Sequence, residues 1–185
     1  MDDVLPAAFR ETVRFLEPEL AVMPLSRWNE SVLRYSLCRI LAIAHQDVEQ
    51  FVECDRIDLV LRRSKQLAFV EFKFYVRPPR FDPYDGTANG YKGGPGRQNL
   101  AEFRACIDQL HERRSTPELS KWVVLVYADS TDGGPDRTYA EQYDRYQHPS
   151  PDVSLRLADS GEPIQTPEGV VRAQLYEIGR VVQRP

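Results

Sequence analysis

Two strand-like segments separated by a short polar turn constrain the fold more than any other part of this chain. Residues 57–62 and 67–75 are rich in β-branched and aromatic side chains, which favour strands. The polar residues between them predict a β-hairpin whose turn is centred between Ser64 and Lys65. In that register, residue 63 pairs with residue 66, residue 62 with residue 67, and so on along both strands.

This register places charged side chains where packing alone would favour apolar ones. Asp58 lies opposite Glu71, with Cβ atoms about 5 Å apart, where two carboxylates repel unless a positive charge lies between them. Because side chains alternate along a strand, Lys73 shares the face of Glu71, while Val70 and Phe72 point to the other face. The hairpin therefore presents two carboxylates and an ammonium group on one patch, and a divalent cation would neutralise the carboxylates.

A helix is predicted before the hairpin, over residues 26–44, with Ser26 as its N-cap. Its apolar residues recur at helical spacing and form one stripe, made of Leu33, Leu37, Ile40, Leu41 and Ala44. Glu30 extends that stripe, so we expect its side chain to point toward the sheet. The alternative is a simple ion pair with Arg34, one turn later, at the edge of the helix.

The rest of the chain adds elements of both kinds. The apolar residues of segment 97–112 recur at helical spacing and predict a second helix. The nearly continuous apolar run 122–128 predicts a central strand covered on both faces. With residues 50–54 as the first strand, the predicted order is helix, three strands, helix, strand. Residues 153–157 and 170–178 predict an extra C-terminal hairpin at the edge of the same domain.

This arrangement resembles the PD-(D/E)XK superfamily, the restriction-endonuclease-like nucleases. The resemblance covers about residues 26–128 and depends on Asp58, on the Glu-x-Lys triplet at Glu71 and on Glu30 of the preceding helix. The proline that precedes the aspartate in the family is replaced by Ile57. The resemblance implies an α/β fold with a restriction-endonuclease-like core, a mixed β-sheet flanked by helices in the order αβββαβ. Including the extra hairpin, we expect one domain over residues 1–185.

The resemblance also implies a function and assigns roles to residues. It predicts a metal-dependent nuclease that hydrolyses phosphodiester bonds in nucleic acid, with DNA rather than RNA as the expected substrate. The expected catalytic residues are Asp58, Glu71, Lys73 and Glu30. Asp58, Glu71 and the backbone carbonyl of Phe72 would hold Mg²⁺ or Mn²⁺, hard cations that prefer oxygen ligands. Lys73 would orient a water molecule or stabilise the charge that develops on phosphorus.

A segment rich in Pro and Gly, residues 77–96, follows the hairpin and shows no hydrophobic period. It interleaves basic and aromatic residues, which suit the phosphates and bases of a nucleic-acid strand. A plain mobile loop of the same composition is the alternative. With Gln98, which matches a glutamine found in some branches of the superfamily, the expected substrate-binding residues are Arg77, Arg80, Lys92, Arg97, Tyr84, Tyr91 and Gln98.

Two other interpretations of the charged patch stay open. Asp58, Glu71, Lys73 and Arg56 would form an ion network on a solvated sheet face if the pattern had no catalytic meaning. A noncatalytic binding or assembly module in a defence or repair complex would keep the fold and lack metal affinity. A homodimer or a complex with a partner protein is compatible with the sequence, which shows no heptad pattern to identify an interface.

Charge and composition limit these interpretations further. The formal net charge is −4, and residues 1–20 carry five acids against two arginines, so the rest of the chain is nearly neutral. This argues against tight nonspecific nucleic-acid binding and leaves a specific or guided substrate possible. The cysteines Cys38, Cys54 and Cys106 lack metal-ligand spacing and are expected to be buried free thiols. With no apolar stretch near twenty residues and no signal peptide, we expect a cytoplasmic protein without a membrane segment.

Overall fold

A mixed seven-stranded β-sheet with helices on both faces forms the centre of the protein. The computed structural model describes residues 1–76, 79–82, 84–91, 96–113, 116–129 and 138–180, and it leaves undescribed the side chains of residues 26, 79–81, 88–91 and 180. Its helices are α1 (Val4–Leu20), α2 (Glu30–Ala44), α3 (Arg97–Glu112) and α4 (Tyr139–Tyr143), with a 3-10 turn at Leu25–Arg27. Its strands are β1 (Glu49–Cys54), β2 (Ile57–Arg63), β3 (Gln66–Val76), β4 (Pro79–Phe81), β5 (Ala88–Tyr91), β6 (Leu119–Asp129), β7 (Val153–Ser160), β8 (Ile164–Thr166) and β9 (Gly169–Arg180).

The strand order in the main sheet is β1-β2-β3-β6-β9-β7, and β8 pairs with one end of β9. β3 and β6 run parallel, while the other neighbours are antiparallel. A parallel pair needs a crossover, and the chain passes through α3 between these two strands. The predicted mixed sheet flanked by helices is thus confirmed. The predicted order of helix, three strands, helix and strand is followed by α2, β1, β2, β3, α3 and β6, with the short strands β4 and β5 inserted before α3. The predicted C-terminal pairing is confirmed in part: β7 pairs with β9, but β9 also pairs with β6 inside the main sheet, and β8 lies in the segment between β7 and β9.

The central hairpin has the predicted register. Leu59 pairs with Val70, and Arg63 pairs with Gln66 across the turn. Ser64 takes a left-handed backbone conformation there, with φ 55°, as a tight two-residue turn requires. One position beyond the Leu59–Val70 pair, the same register brings Asp58 beside Glu71.

Two apolar layers enclose the sheet. On one face, α1 and α2 pack over side chains that include Val70, Phe72 and Trp122. On the other face, α3 and α4 pack over side chains that include Val123 and Tyr127. Strand β6 is therefore covered on both sides, which explains its continuous apolar sequence. Glu71 and Lys73 alternate with the first layer and so face α3.

The start of α2 differs from the prediction. Asn29 is the N-cap, and its Oδ1 accepts a hydrogen bond from the backbone N–H of Val32 at 3.1 Å. Ser26 lies instead in the 3-10 turn, so its prediction as the N-cap was wrong. Both residue types are good N-caps. Asn29 is the one that lies three residues before Val32, whose N–H belongs to the first turn of the helix. Glu30 thereby becomes the first residue of the helix.

The cysteine prediction is confirmed only in part. All three thiols are free, and Cys106 is buried, but Cys54 is exposed because it ends the edge strand β1. In the described ranges, no helix is both long enough and apolar enough to cross a membrane.

Candidate active site

Asp58, at the start of β2, and Glu71, in the middle of β3, lie together. Oδ2 of Asp58 accepts a hydrogen bond from the backbone N–H of Phe72 at 2.9 Å, which fixes the carboxylate against the neighbouring strand. Glu71 is 9% exposed, and the side chain of Asp58 is 24% exposed. The pair is therefore largely shielded from solvent, unlike an ion network on a solvated sheet face.

The electrostatics of this pair follow from its burial. Burial, then the charge of Asp58 and a hydrogen bond between the two carboxyl groups, raise the pKa of Glu71 to about 8, against a smaller opposing effect of Lys73. Two adjacent carboxylates in a desolvated position cannot both be ionised without compensation. At neutral pH, without a bound cation, the pair therefore retains a proton.

Lys73 supplies the positive charge on the same face. Its Nζ donates to the carbonyl oxygen of Phe72 at 2.9 Å and lies 3.8 Å from Oε1 of Glu30. Burial acts to lower the pKa of Lys73, but the negative charges of Cys106, Glu30 and nearby groups outweigh it, so that the pKa is raised. Since burial raises the pKa of the Cys106 thiol to about 12, the carboxylates supply that negative charge at neutral pH. Lys73 is thus an ammonium ion.

Glu30 reaches the same place from the first turn of α2. Burial and then the charge of Asp58 raise the pKa of Glu30, although Lys73 lowers it. Its ion pair is with Lys73, whereas Arg34 bonds to other carboxylates, so the alternative of a simple Glu30–Arg34 pair is wrong. We call Glu30, Asp58, Glu71 and Lys73 the Asp58 cluster.

Arg34 is the residue of this region that the sequence prediction missed. Its Nη1 lies 3.4 Å from Oδ1 of Asp58, and its Nη2 lies 2.8 Å from Oε1 of Glu53. The expected arginine of an ion network was Arg56, but Arg56 is exposed in the turn between β1 and β2, with φ 62°. A sequence signal for Arg34 existed, since it lies one helical turn after Glu30.

Of the predicted substrate-binding residues, the structure describes the side chains of Tyr84, Arg97 and Gln98. Arg77 and Lys92 lie outside the described residues, as do the side chains of Arg80 and Tyr91, which belong to β4 and β5. Tyr84 is 96% exposed. Arg97 is exposed at the start of α3, and Nε2 of the neighbouring Gln98 donates to Oε1 of Glu102 at 3.0 Å. Gln98 is therefore engaged within its own helix.

The Asp58 cluster offers a hard divalent cation only a small number of protein ligands. Across the described parts of the chain, no group of three or more His, Cys, Asp or Glu side chains is placed to hold a metal ion. Asp58 and Glu71 form a pair, and the carbonyl oxygen of Phe72 belongs to the residue that follows Glu71. A cation bound beside Glu71 would replace the retained proton and balance the negative charge of the second carboxylate. Two carboxylates with a carbonyl suit Mg²⁺, which keeps several of its waters.

Comparisons with known proteins add no relative to this description. No protein-family model, curated protein or solved structure matches the chain. The functional argument therefore depends on the geometry of the site and on the fold that positions it.

Proposed function

We propose that the protein is a metal-dependent nuclease of the PD-(D/E)XK type, which hydrolyses phosphodiester bonds in nucleic acid, with DNA rather than RNA as the proposed substrate. The observation that carries the proposal is the buried Asp58–Glu71 pair with the raised pKa of Glu71, next to the ammonium of Lys73. Perturbed carboxyl groups beside a cation are typical of catalytic sites. The order of helices and strands around the pair agrees with the core of that superfamily.

Asp58, Glu71 and the carbonyl oxygen of Phe72 are the proposed ligands of Mg²⁺ or Mn²⁺. A bound cation of this kind supplies Lewis-acid chemistry, polarising a phosphate oxygen and lowering the pKa of a water molecule. Glu71 would give up its retained proton to act as a ligand. The bond from the N–H of Phe72 holds Asp58 in a fixed orientation beforehand, so that little ordering remains to be done on binding.

Lys73 and Glu30 have roles of their own in this proposal. The Nζ of Lys73 has N–H groups beyond the one donated to Phe72, and these would donate to a phosphate oxygen or orient the attacking water. Such donors stabilise the charge that develops in the transition state, in a site from which bulk water is largely excluded. Glu30, 3.8 Å from that nitrogen, keeps the ammonium charged and positioned.

The decisive experiment removes the Lys73 amine. We expect Lys73→Ala to abolish cleavage of labelled DNA in Mg²⁺ or Mn²⁺, with a rate loss of roughly a hundredfold or more. A panel of single- and double-stranded DNA and RNA substrates would identify the preferred nucleic acid in the same assay. Circular dichroism and the melting temperature would show that the variant is folded.

Lys65→Ala is the matched control for that experiment. Lys65 is an exposed lysine of the same hairpin, at its turn, and its loss should leave the cleavage rate unchanged. Cleavage by folded Lys73→Ala at the rate of the wild type would overturn the proposed mechanism.

A noncatalytic binding or assembly module is the second candidate function. It is favoured by one observation: the carbonyl oxygen of Phe72, a proposed metal ligand, already accepts a hydrogen bond from Lys73. A module of this kind needs no cation, since internal hydrogen bonds satisfy the polar groups. Calorimetric titration with Mn²⁺ separates the two candidates, because only the nuclease predicts binding that Asp58→Asn removes.

A further inference from the structure

The guanidinium group of Arg34 is shared between two carboxylates on neighbouring strands. Val52 pairs with Leu59 and Cys54 with Ile57, so Glu53 and Asp58 occupy the intervening positions of β1 and β2. Arg34 reaches both from α2, at 2.8 Å to Glu53 and 3.4 Å to Asp58.

The two carboxylates differ in their environments. The side chain of Glu53 is 73% exposed, whereas that of Asp58 is 24% exposed and faces the other members of the Asp58 cluster. The closer contact of Arg34 is with the exposed carboxylate. The guanidinium therefore has a solvated partner that it would keep if its contact with Asp58 were lost.

The backbone around Glu53 holds this arrangement in place. Glu53, Asp55 and Arg56 all have left-handed conformations, with φ of 52°, 51° and 62°, which cost energy for residues other than glycine. Arg34 bonds to this turn from α2, and Nη2 of Arg113 bonds to the carbonyl oxygen of Asp55 at 2.7 Å from the end of α3. Two arginines, one from α2 and one from the end of α3, therefore bind this strained turn and hold Glu53 beside Asp58.

We infer that Arg34 is a built-in cation of the metal site, which neutralises Asp58 in the metal-free protein and moves onto Glu53 when a divalent cation binds. The inference rests on the proposed function, because it takes Asp58 as a metal ligand. A guanidinium and a divalent cation repel each other at such short range. The guanidinium also uses Oδ1 of Asp58, the oxygen that the N–H of Phe72 leaves free. Arg34 thus sets the concentration of metal at which the site fills.

The inference predicts an unusual sign for a substitution. Removing an arginine that only supports the structure would loosen Asp58 and weaken metal binding. Removing an arginine that competes with the metal would strengthen it. We expect Arg34→Met, which keeps the length of the side chain without its charge, to bind Mn²⁺ about tenfold more tightly than the wild type in calorimetric titration.

Arg39→Met is the matched control, because Arg39 lies on the same helix with its guanidinium over the ring of Phe15. It should bind Mn²⁺ like the wild type. Glu53→Gln tests the inference independently of whether Arg34→Met folds. Arg34 then loses its alternative partner and stays on Asp58, so Mn²⁺ binding should weaken severalfold, and this effect should disappear in the double variant.

The outcomes separate this inference from the proposed function. Wild-type affinity or weaker binding in folded Arg34→Met, or an unchanged affinity in Glu53→Gln, would overturn the role of Arg34 while leaving the metal site intact. Absence of Mn²⁺ binding in the wild type and in every variant would overturn both. Tighter binding by Arg34→Met in a protein that cleaves no substrate would support the inference and overturn the proposed nuclease activity.

Discussion

Glu71 illustrates how burial and one neighbouring charge change the chemistry of a carboxyl group. The pKa of Glu71 rises from an ordinary value of 4.5 to about 8, first because of burial and then because of Asp58. Between these two values the native state holds a proton that the unfolded chain releases. By linkage, the free energy of unfolding therefore falls as the pH rises through this range.

Glu71→Gln should remove that dependence on pH. We expect the free energy of unfolding of the metal-free wild type to fall between about pH 5 and about pH 8, and the fall to be smaller in Glu71→Gln, which cannot ionise. Urea unfolding at a series of pH values in the presence of a chelator would measure the difference. Glu162→Gln, at an exposed glutamate of the loop before β8, should reproduce the wild-type profile. Parallel profiles for the wild type and Glu71→Gln would contradict the protonated pair.

The sequence predicted the positions of the charged residues better than their partners. The period of two along a strand and the symmetry of a hairpin are local rules, and they were sufficient to bring Asp58 beside Glu71 and Lys73. The partner of Arg34 depends on how α2 packs over the edge of the sheet. Glu30 was the nearest carboxylate along the chain, but packing brings Arg34 to Glu53 and Asp58.

At the scale of elements, the segments with a clear hydrophobic period were predicted, and the short strands β4 and β5 were not. Helix α3 occupies the predicted residues, and β6 contains the predicted run. The strands β4 and β5 each have at most four residues, too few to show a period, and they lie in the segment predicted as a loop. The N-cap of α2 was predicted at the wrong residue because two suitable capping residues lie close together before the helix.

Helix α1 should stabilise the fold mainly through its apolar side. Phe9 is 3% exposed and lines a small cavity of about 30 Å³ together with Leu37 and Phe72. We expect Phe9→Ala to lower the free energy of unfolding by about 3–5 kcal/mol, since the enlarged cavity cannot collapse fully. Phe15→Ala on the same helix removes a partly exposed ring and should cost less than about 1 kcal/mol. Urea unfolding of both variants checks this, and equal losses would mean that α1 does not pack as described.

At the scale of the whole molecule, the net charge of −4 does not describe the surroundings of the site. Much of the acidic excess belongs to the N-terminal residues, where the amino group of Met1 donates to Oε1 of Gln66, at the start of β3. Glu71 and Lys73 lie further along that strand. Asp2 and Asp3, next to Met1, thus lie near the start of β3, several residues before the proposed site, and their charge weakens general nucleic-acid binding more than it affects chemistry at Lys73.

A cation bound between β2 and β3 should stabilise the entire protein. Any ligand that binds the native state alone raises the free energy of unfolding, by about 2.7 kcal/mol at a hundred times its dissociation constant. For a chain of this size that corresponds to roughly 5–10 °C in melting temperature. We therefore expect Mn²⁺ to raise the melting temperature of the wild type progressively with concentration, and the increase to be lost in Asp58→Asn.

Asp152→Asn is the control for that measurement, because Asp152 is an exposed aspartate just before β7. It should show the same increase as the wild type. An increase that persists in Asp58→Asn would place the cation elsewhere on the molecule, since the loss of one of two carboxylate ligands cannot leave the affinity unchanged. No increase in any variant would favour the noncatalytic module, in which Lys73 and the backbone of Phe72 already satisfy the polar groups around Asp58.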